Sequence, residues 1–248
     1  MKYKLHIPFG SRLDLLEEAV HSVRDIGNIH LWADGIDCPP IPDVVVHEPG
    51  LVSCVSLINM CIKSSWDDDV MFLCHNDAFA KEGVAKKMLD YTRNAFETDK
   101  QWGFIRSHYD VLAAYNMTAI RDTGYWDVMY FQYRADVDYY HLLKTRGWHE
   151  LDSGLNDGVI HHGSQSVKSD PLFNYRTQFR NSVDFDGRYY QMKWGGDPGH
   201  ERYSKPFENF RPEQPGFRHQ PVRPHPQFRP KLPTPTRVRP FPGVSIKA

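Results

Sequence analysis

The stretch DDDVMFLCHND, residues 67 to 77, runs an apolar segment straight into three polar side chains, His75, Asn76 and Asp77. A second apolar segment, NIHLWA, ends in the same manner on Asp34-Gly35. In an open parallel sheet, ligands bind outside the carboxyl ends of the strands. A carboxylate placed there among other polar groups is able to coordinate a hard divalent cation. Mg²⁺ takes one or two protein carboxylates and completes its shell with water and substrate phosphate oxygens. Such a cation would neutralise a diphosphate and help it depart. Plainer local roles stand beside this chemistry. Asp77 would cap a helix beginning near Lys81, and Asp34 would open an Asp-Gly turn.

The elements that must position these groups follow from periodicity and punctuation. Lys4 to Pro8 reads as a strand. A helix capped by Ser11 or Asp14 follows, with Leu15, Leu16, Ala19, Val20 and Val23 at helical spacing. Strands are expected at Asn28–Ala33 and Val44–Val46, separated by the proline-bearing loop DCPPIPD. A helix is expected over Leu51–Ser64, a strand over Val70–Cys74 and a helix from Glu82 to about Phe96. Beyond these lie strands at Trp102–Ile105 and Ala114–Ile120, a helix over 136–146 and a strand over 157–162. Alternating strands and helices give an α/β fold, Rossmann-like, with a mixed and mostly parallel sheet covered by helices on both faces. The wholly apolar VMFLC fits a central strand covered on both sides.

The order of these elements resembles the GT-A glycosyltransferases, of the broad inverting family-two kind, over roughly residues 3–165. The resemblance rests on KLHIPFGSRLDLLEEAVHSV, on Trp32-Ala33-Asp34-Gly35, on Asn59 in SLINMCIKSS, and on VMFLCHNDAF as a variant of the strand that carries the DxD motif. It implies that Asp77 binds a metal, Mn²⁺ or Mg²⁺, with His75 standing where the first Asp of the motif falls. Asp34, Asn59, His75 and Asn76 would then line the nucleotide-diphosphate sugar. The segment from Ala114 to Trp148 resembles the acceptor half. There Trp126-Asp127 forms the turn, Asp136 falls on the base that deprotonates the acceptor hydroxyl, and Asp138 orients the loop or caps the helix. Ala135 replaces the usual Glu of that tetrad. GVIHHGSQS resembles the segment in which a histidine returns to the metal. His161 or His162 would serve, since strand alternation points them to opposite faces. Finally, KWGGDPGHERYSKPF resembles a segment of glycosyltransferase-like proteins of bacteriophages. Lys193 would pair with a phosphate, Trp194 would stack on a sugar or base, and Gly195-Gly196 would let backbone approach a ligand. The alternative for this segment is a tryptophan anchor that pins the C-terminal region. For Asp136 and Asp138 the alternative is helix capping.

Composition sets the remaining bounds. The 248 residues are 40% hydrophobic and 13% aromatic, enough for a substantial core. Charge is nearly balanced overall but split along the chain: residues 205–248 hold nine Lys/Arg against two Asp/Glu, and the rest holds 21 against 29. Two parts follow, a catalytic domain over 1–204 and a Pro/Arg-rich tail over 205–248 that is extended or disordered. The tail suits a polyanion, such as DNA carrying modified bases, or an acidic protein such as a capsid subunit; it also reads as a solvated linker. Cys38, Cys54, Cys61 and Cys74 read as buried free thiols without metal-ligand spacing. No signal-peptide pattern and no membrane-length apolar run is visible, so the expected location is cytoplasmic, in the host cytoplasm if the protein is viral. The expected activity is metal-dependent transfer of a sugar to an acceptor hydroxyl. A non-catalytic virion-associated or binding protein on a degenerate form of the fold is the alternative. A dinucleotide oxidoreductase is disfavoured, because no GxGxxG follows the first strand.

Overall fold

A computed structural model describes residues 1–50, 52–130, 133–163 and 180–209. In chain order its strands are β1 (Tyr3–Phe9), β2 (Ile29–Ala33), β3 (Val44–His47), β4 (Val70–Cys74), β5 (Ala78–Ala80), β6 (Trp102–Arg106), β7 (Leu112–Asn116), β8 (His149–Asp152) and β9 (Val159–His161). Its helices are α1 (Leu13–Ser22), α2 (Cys54–Ser64), α3 (Val84–Thr98), α4 (Met117–Thr123), α5 (Ala135–Thr145) and α6 (Arg180–Trp194). Seven strands form one sheet in the order β3-β2-β1-β4-β7-β6-β8. β3, β2, β1 and β4 are mutually parallel, β7 runs antiparallel between β4 and β6, and β8 is parallel to β6. The carboxyl ends of β2, β1 and β4 therefore share one edge. β5 and β9 form a separate antiparallel pair.

Strand alternation sorts the core into two layers. Leu5, Ile7, Leu31, Phe72 and Ala114 face one way, onto Leu16 and Val20 of α1 and Met88 of α3. Met71, Leu73, Ala113 and Tyr115 face the other, onto Ile58 and Ile62 of α2, Ile120 of α4, Tyr139 of α5 and Trp194 of α6. All five residues of β4 are buried. Each fully buried Leu, Ile or Phe contributes roughly 1.5–3 kcal/mol, so β4 is strongly held and its end is a rigid place to mount a site. No described helix is long and apolar enough to cross a membrane.

Several boundaries differ from expectation for identifiable reasons. Neither Ser11 nor Asp14 caps α1: Arg12 takes the N-cap position in the left-handed region, and its guanidinium pairs with Asp14. α2 starts at Cys54 because the Val52 amide is bound by the Asp34 carboxylate and Ser53 caps the helix. The expected strand Ala114–Ile120 breaks at Asn116, whose side chain accepts from the Thr118 amide and starts α4. β5, β8 and α6 were not expected. β5 is three residues long, β8 is a polar edge strand, and α6 carries Gly187 inside it. All four cysteines are free, but Cys54 is exposed and Cys38 half-buried. One compact unit covers Met1–Phe210. The chain from 210 onward, most of the expected tail, lies outside the described residues.

Adjacent strands also line up three histidines that the sequence reading did not single out. His6 pairs in register with His30, and His47 with Trp32. His6 is fully buried; its Nδ1 accepts from the Trp32 indole at 2.9 Å, which leaves the ring proton on Nε2, 2.8 Å from Ser65 Oγ. His30 Nδ1 lies 2.9 Å from His47 Nε2, so at least one of the two rings is neutral. Burial, then the charge of its histidine neighbours, holds His6 well below the usual range and brings His30 down to about 4. The folded state thus binds fewer protons than the unfolded chain between about 4 and 6.5, and stability rises with pH across that window. The unfolding midpoint, followed by circular dichroism, is expected to fall as pH drops through this range and to fall less steeply in His30→Gln. Parallel profiles for the two proteins would exclude this pair as the cause.

Candidate active site

The tip of β4 turns sharply. The His75 amide donates to the Val111 carbonyl at 2.9 Å, and the Ala78 amide donates to the His75 carbonyl at 3.2 Å. The chain then enters β5, which pairs with β9 so that Ala78 stands opposite His161. This pairing folds β9 back over the tip. His161 Nε2 comes to 3.2 Å from Asp77 Oδ1, and the His75 and His161 rings meet edge to face at 5.7 Å. One ligand atom from each of His75, Asp77 and His161 lies within 4.8 Å of the others. Asp77 is 3% exposed and His161 20%, so the group is sheltered yet open on one side. The helix-cap alternative for Asp77 fails, since α3 begins at Val84 behind Gly83. His162 points away: its Nε2 lies 3.3 Å from Glu18, and only its backbone amide returns, to the Asp77 carbonyl. Of the two histidines assigned to the metal, His161 alone joins the group.

The other residues expected at the donor divide. Asn76 is buried and donates to the Ser11 carbonyl at 2.9 Å, locking the β1–α1 loop to the β4 tip. Asp34 sits on the same sheet edge, two strands across, 3% exposed, with one oxygen accepting from the Val52 amide at 2.8 Å. Asn59 does not face a donor. Its amide clamps the backbone of Trp126, donating to the carbonyl at 2.9 Å and accepting from the amide at 2.8 Å. Trp126 is buried and stacks on Tyr139, so it is a core residue rather than an acceptor contact.

Lys193 and Trp194 depart furthest from expectation. The Lys193 ammonium is buried between two carboxylates, 2.8 Å from Asp127 Oδ2 and 2.9 Å from Asp138 Oδ2. Trp194 is fully buried and donates to Asp138 Oδ1 at 2.6 Å, where the Tyr130 hydroxyl also donates at 3.0 Å. Neither side chain is placed to meet a phosphate or a sugar. The anchoring alternative describes this segment, and Asp127 and Asp138 are its internal sockets. Burial pushes the Asp138 carboxyl up despite the lysine. At Asp127, burial is outweighed by Lys193, the Met129 amide and Tyr189, and the carboxyl lies below its usual range. The paired glycines admit the chain itself, not a ligand. A Cβ on Gly196 would lie 2.0 Å from the His200 carbonyl oxygen, and one on Gly195 would strike the Tyr203 ring at 2.7 Å.

Asp136, two residues before Asp138, points elsewhere. It lines a pocket of about 340 Å³ with Asp110, Tyr140, Lys144 and Glu201. Burial first, and the charge of Asp110 second, raise its carboxyl above the usual range, while His75 pulls it down. Asp110, which lines the same pocket, is followed by Val111, whose carbonyl accepts from the His75 amide at the β4 tip at 2.9 Å. The N-cap residue of α5, Arg134, makes no side-chain cap bond, and both acids lie in the first turn, where Asp136 also accepts from the Val137 amide, so capping accounts for part of the role of Asp136. Ala135 is 1% exposed in the second core layer, where a glutamate would be buried. Asp110 and Glu201 were missed by the sequence reading. Glu201 lies inside the segment that opens with Lys193-Trp194, and Asp110 follows the β6 strand, so position held the only signal.

No protein-family model matches the chain, and no curated protein matches it. Solved structures match by fold. Glucosyl-3-phosphoglycerate synthase from Mycobacterium tuberculosis, in complex with Mn²⁺, UDP and glucosyl-3-phosphoglycerate, aligns with a TM-score of 0.50 at 8% identity, over 75% of this chain and 79% of that one. The same enzyme with Mn²⁺ and UDP-glucose gives 0.50 at 8%, over 75% and 78%. S. aureus TarS 1-349 gives a TM-score of 0.48 at 8% identity, over 79% of this chain and 74% of that one. The mixed, mostly parallel sheet with its helices is a GT-A glycosyltransferase fold.

The buried lysine yields a stability prediction. Lys193→Ala leaves Asp138 buried without its cation, and the expected loss is about 3–5 kcal/mol of unfolding free energy, measured by urea denaturation. Adding Asp138→Asn to Lys193→Ala should recover part of that loss, because the uncompensated charge is then gone. Strictly additive losses would contradict the pairing.

Proposed function

We propose that this chain is a metal-dependent glycosyltransferase that moves a sugar from a nucleotide-diphosphate donor to an acceptor hydroxyl. One observation carries the reading: the three ligand atoms of His75, Asp77 and His161 converge at the carboxyl edge of a parallel sheet, beside a pocket lined by a half-buried carboxylate, Asp136. Two imidazoles and one carboxylate suit a first-row cation better than Mg²⁺, which takes oxygen ligands. Of the two expected ions, Mn²⁺ is favoured, and the M. tuberculosis enzyme of the same fold was crystallised with Mn²⁺ and UDP-glucose. A bound cation would supply charge neutralisation for the diphosphate leaving group.

The chain's own residues set the rest. Asp77, in the turn before β5, and His161 of β9 hold each other in place, and His75 faces His161 from the tip of β4. Asn76 fixes the β1–α1 loop, and Asp34 fixes the approach to α2, the two loops that flank the donor on this edge. Asp136 takes the proton of the attacking hydroxyl. The new bond joins that oxygen to the anomeric carbon, the bond from the anomeric carbon to the phosphate oxygen breaks, and the nucleoside diphosphate leaves with the electron pair. Direct displacement inverts the anomeric centre. A raised carboxyl is the better base for a hydroxyl proton, since its conjugate acid holds the proton more firmly. We assign this chemistry to residues 1–204. The basic tail over 205–248 is read as an appended arm for an anionic partner, nucleic acid or an acidic protein.

Three substitutions separate the roles. Asp77→Ala and His161→Ala are expected to abolish Mn²⁺ binding, read by electron paramagnetic resonance, together with turnover of UDP-sugars. Asp136→Asn should keep Mn²⁺ binding and lower kcat by roughly 10²–10⁴. The acid limb of the wild-type kcat/KM profile should lie above the ordinary carboxylate range, because burial and Asp110 raise Asp136. Mn²⁺ binding with no turnover of any nucleotide sugar would favour the non-catalytic alternative. Unchanged kcat in Asp136→Asn would remove that residue from the mechanism.

A further inference from the structure

The pocket beside Asp136 has a floor, a rim and a wall from separate parts of the chain. β6 supplies Phe104 and Arg106, the loop after it supplies Tyr109 and Asp110, and α5 supplies Asp136, Tyr140 and His141. The wall is Tyr190 of α6 with Pro198, Gly199 and Glu201. The Lys193-Trp194 segment therefore builds this pocket. Lys193 and Trp194 plug into Asp127 and Asp138 from behind, and Gly196 lets the chain turn against His200 so that Glu201 faces inward. The pocket adjoins the donor edge directly, since the Val111 carbonyl next to Asp110 binds the His75 amide at 2.9 Å.

Its charge is selective. Four carboxylates line it, Asp110, Asp136, Glu150 and Glu201, against the fixed cations Arg106 and Lys144. Arg106 is neutralised by an ion pair with Glu150. An anionic ligand would thus meet three carboxylates and one lysine. The polar groups that remain match hydroxyls. Asp110 Oδ2 accepts from the Tyr140 hydroxyl at 2.9 Å, and that hydroxyl lies 3.1 Å from the one on Tyr115, a chain that aims Asp110 from the core. At Glu201 the Tyr190 hydroxyl and the Gly199 amide both donate to Oε1, which orients the carboxylate on the pocket wall. The buried Nε2 of His141 has no hydrogen-bond partner among the described residues. At the rim Tyr109 is 69% exposed and sits at φ 49, in the left-handed region, where a bulky side chain is rare. The Tyr109 ring meets the His108 ring edge to face at 4.7 Å and leaves most of its surface exposed at the pocket mouth.

We propose that this pocket takes the acceptor, that the acceptor is a neutral saccharide, and that Asp110 and Glu201 select it by binding its hydroxyls while Tyr109 covers its apolar face. The inference rests on the glycosyl-transfer reading of Asp136 and adds the class of acceptor and the residues that choose it. It also gives the Lys193-Trp194 segment its role, as the scaffold of the acceptor wall.

The test uses the full chain, without donor or metal, and reads binding of glucose, maltose, chitobiose and glucose 6-phosphate by saturation-transfer difference NMR and titration. At least one neutral sugar is expected to bind, and glucose 6-phosphate at least tenfold more weakly than glucose. In Glu201→Gln the neutral sugar should lose about tenfold in affinity while the discrimination against the phosphate narrows, a change in ratio that a merely structural role would not produce. Tyr109→Ala, at an exposed rim position, should weaken the neutral sugar with unfolding unchanged, and it serves if Glu201→Gln folds poorly. No binding by any neutral sugar, or tighter binding of glucose 6-phosphate, would overturn the proposal. Lost saccharide binding with intact donor turnover would sink the acceptor class alone; intact saccharide binding without donor turnover would sink the glycosyl-transfer reading instead.

Discussion

A strand buried on both faces can offer polar chemistry only at its ends, and that constraint organises this molecule. β4 lies at the centre of the sheet with all five residues covered. Its polar groups must emerge together at His75, Asn76 and Asp77, and the chain must turn there. After the turn the chain forms the three-residue β5, whose backbone groups need a partner strand. β9 is that partner, and the antiparallel register that satisfies the two short strands sets His161 opposite Ala78, beside Asp77. The convergence of His75, Asp77 and His161 is thus a product of backbone pairing, and the alternation that brings His161 in sends His162 out.

A second constraint acts on the other side of α5. Lys193, Asp127 and Asp138 are ionic groups taken largely out of water, an arrangement whose desolvation offsets much of its Coulomb attraction. Its use is geometric. Lys193 comes from α6, Asp127 from the loop after α4, and Asp138 from α5, so one ammonium fixes three separate segments. Trp194 and Tyr130 satisfy the other oxygen of Asp138, which leaves that carboxylate fully engaged. Nonpolar packing alone would permit α6 to slide along α5; directional bonds to two carboxylates do not.

Much of this was legible in the sequence, for reasons that differ by residue. The wholly apolar VMFLC and NIHLWA announced central strands ending in acid groups, and the element order pointed to the fold that the structure adopts. The polar cluster at the β4 tip, the candidate site, was legible because strand, turn and carboxylate are contiguous. What failed was long-range. Nothing local in KWGG says whether its lysine meets a ligand phosphate or two carboxylates 55 and 66 residues away. Asn59 likewise has the right chemistry for a donor contact and is taken by a backbone 67 residues on. β8 was invisible because HELD is a polar edge strand, stabilised by its neighbour β6 rather than by its own pattern.

The pair Asp136 and Asp138 shows why residue type and spacing underdetermine role. Two positions apart on a helix, side chains diverge by roughly 200°, given 3.6 residues per turn. The two carboxylates cannot share a cavity. One meets a lysine, an indole and a phenol; the other meets a pocket, a second carboxylate and a distant imidazole. Burial raises both, but Asp138 is bonded on both oxygens to buried side chains, whereas Asp136 is half-buried and lines the pocket. The helix that carries them therefore separates an acid bonded into the core from one that lines a pocket, and the lysine that immobilises the first also holds up the wall facing the second.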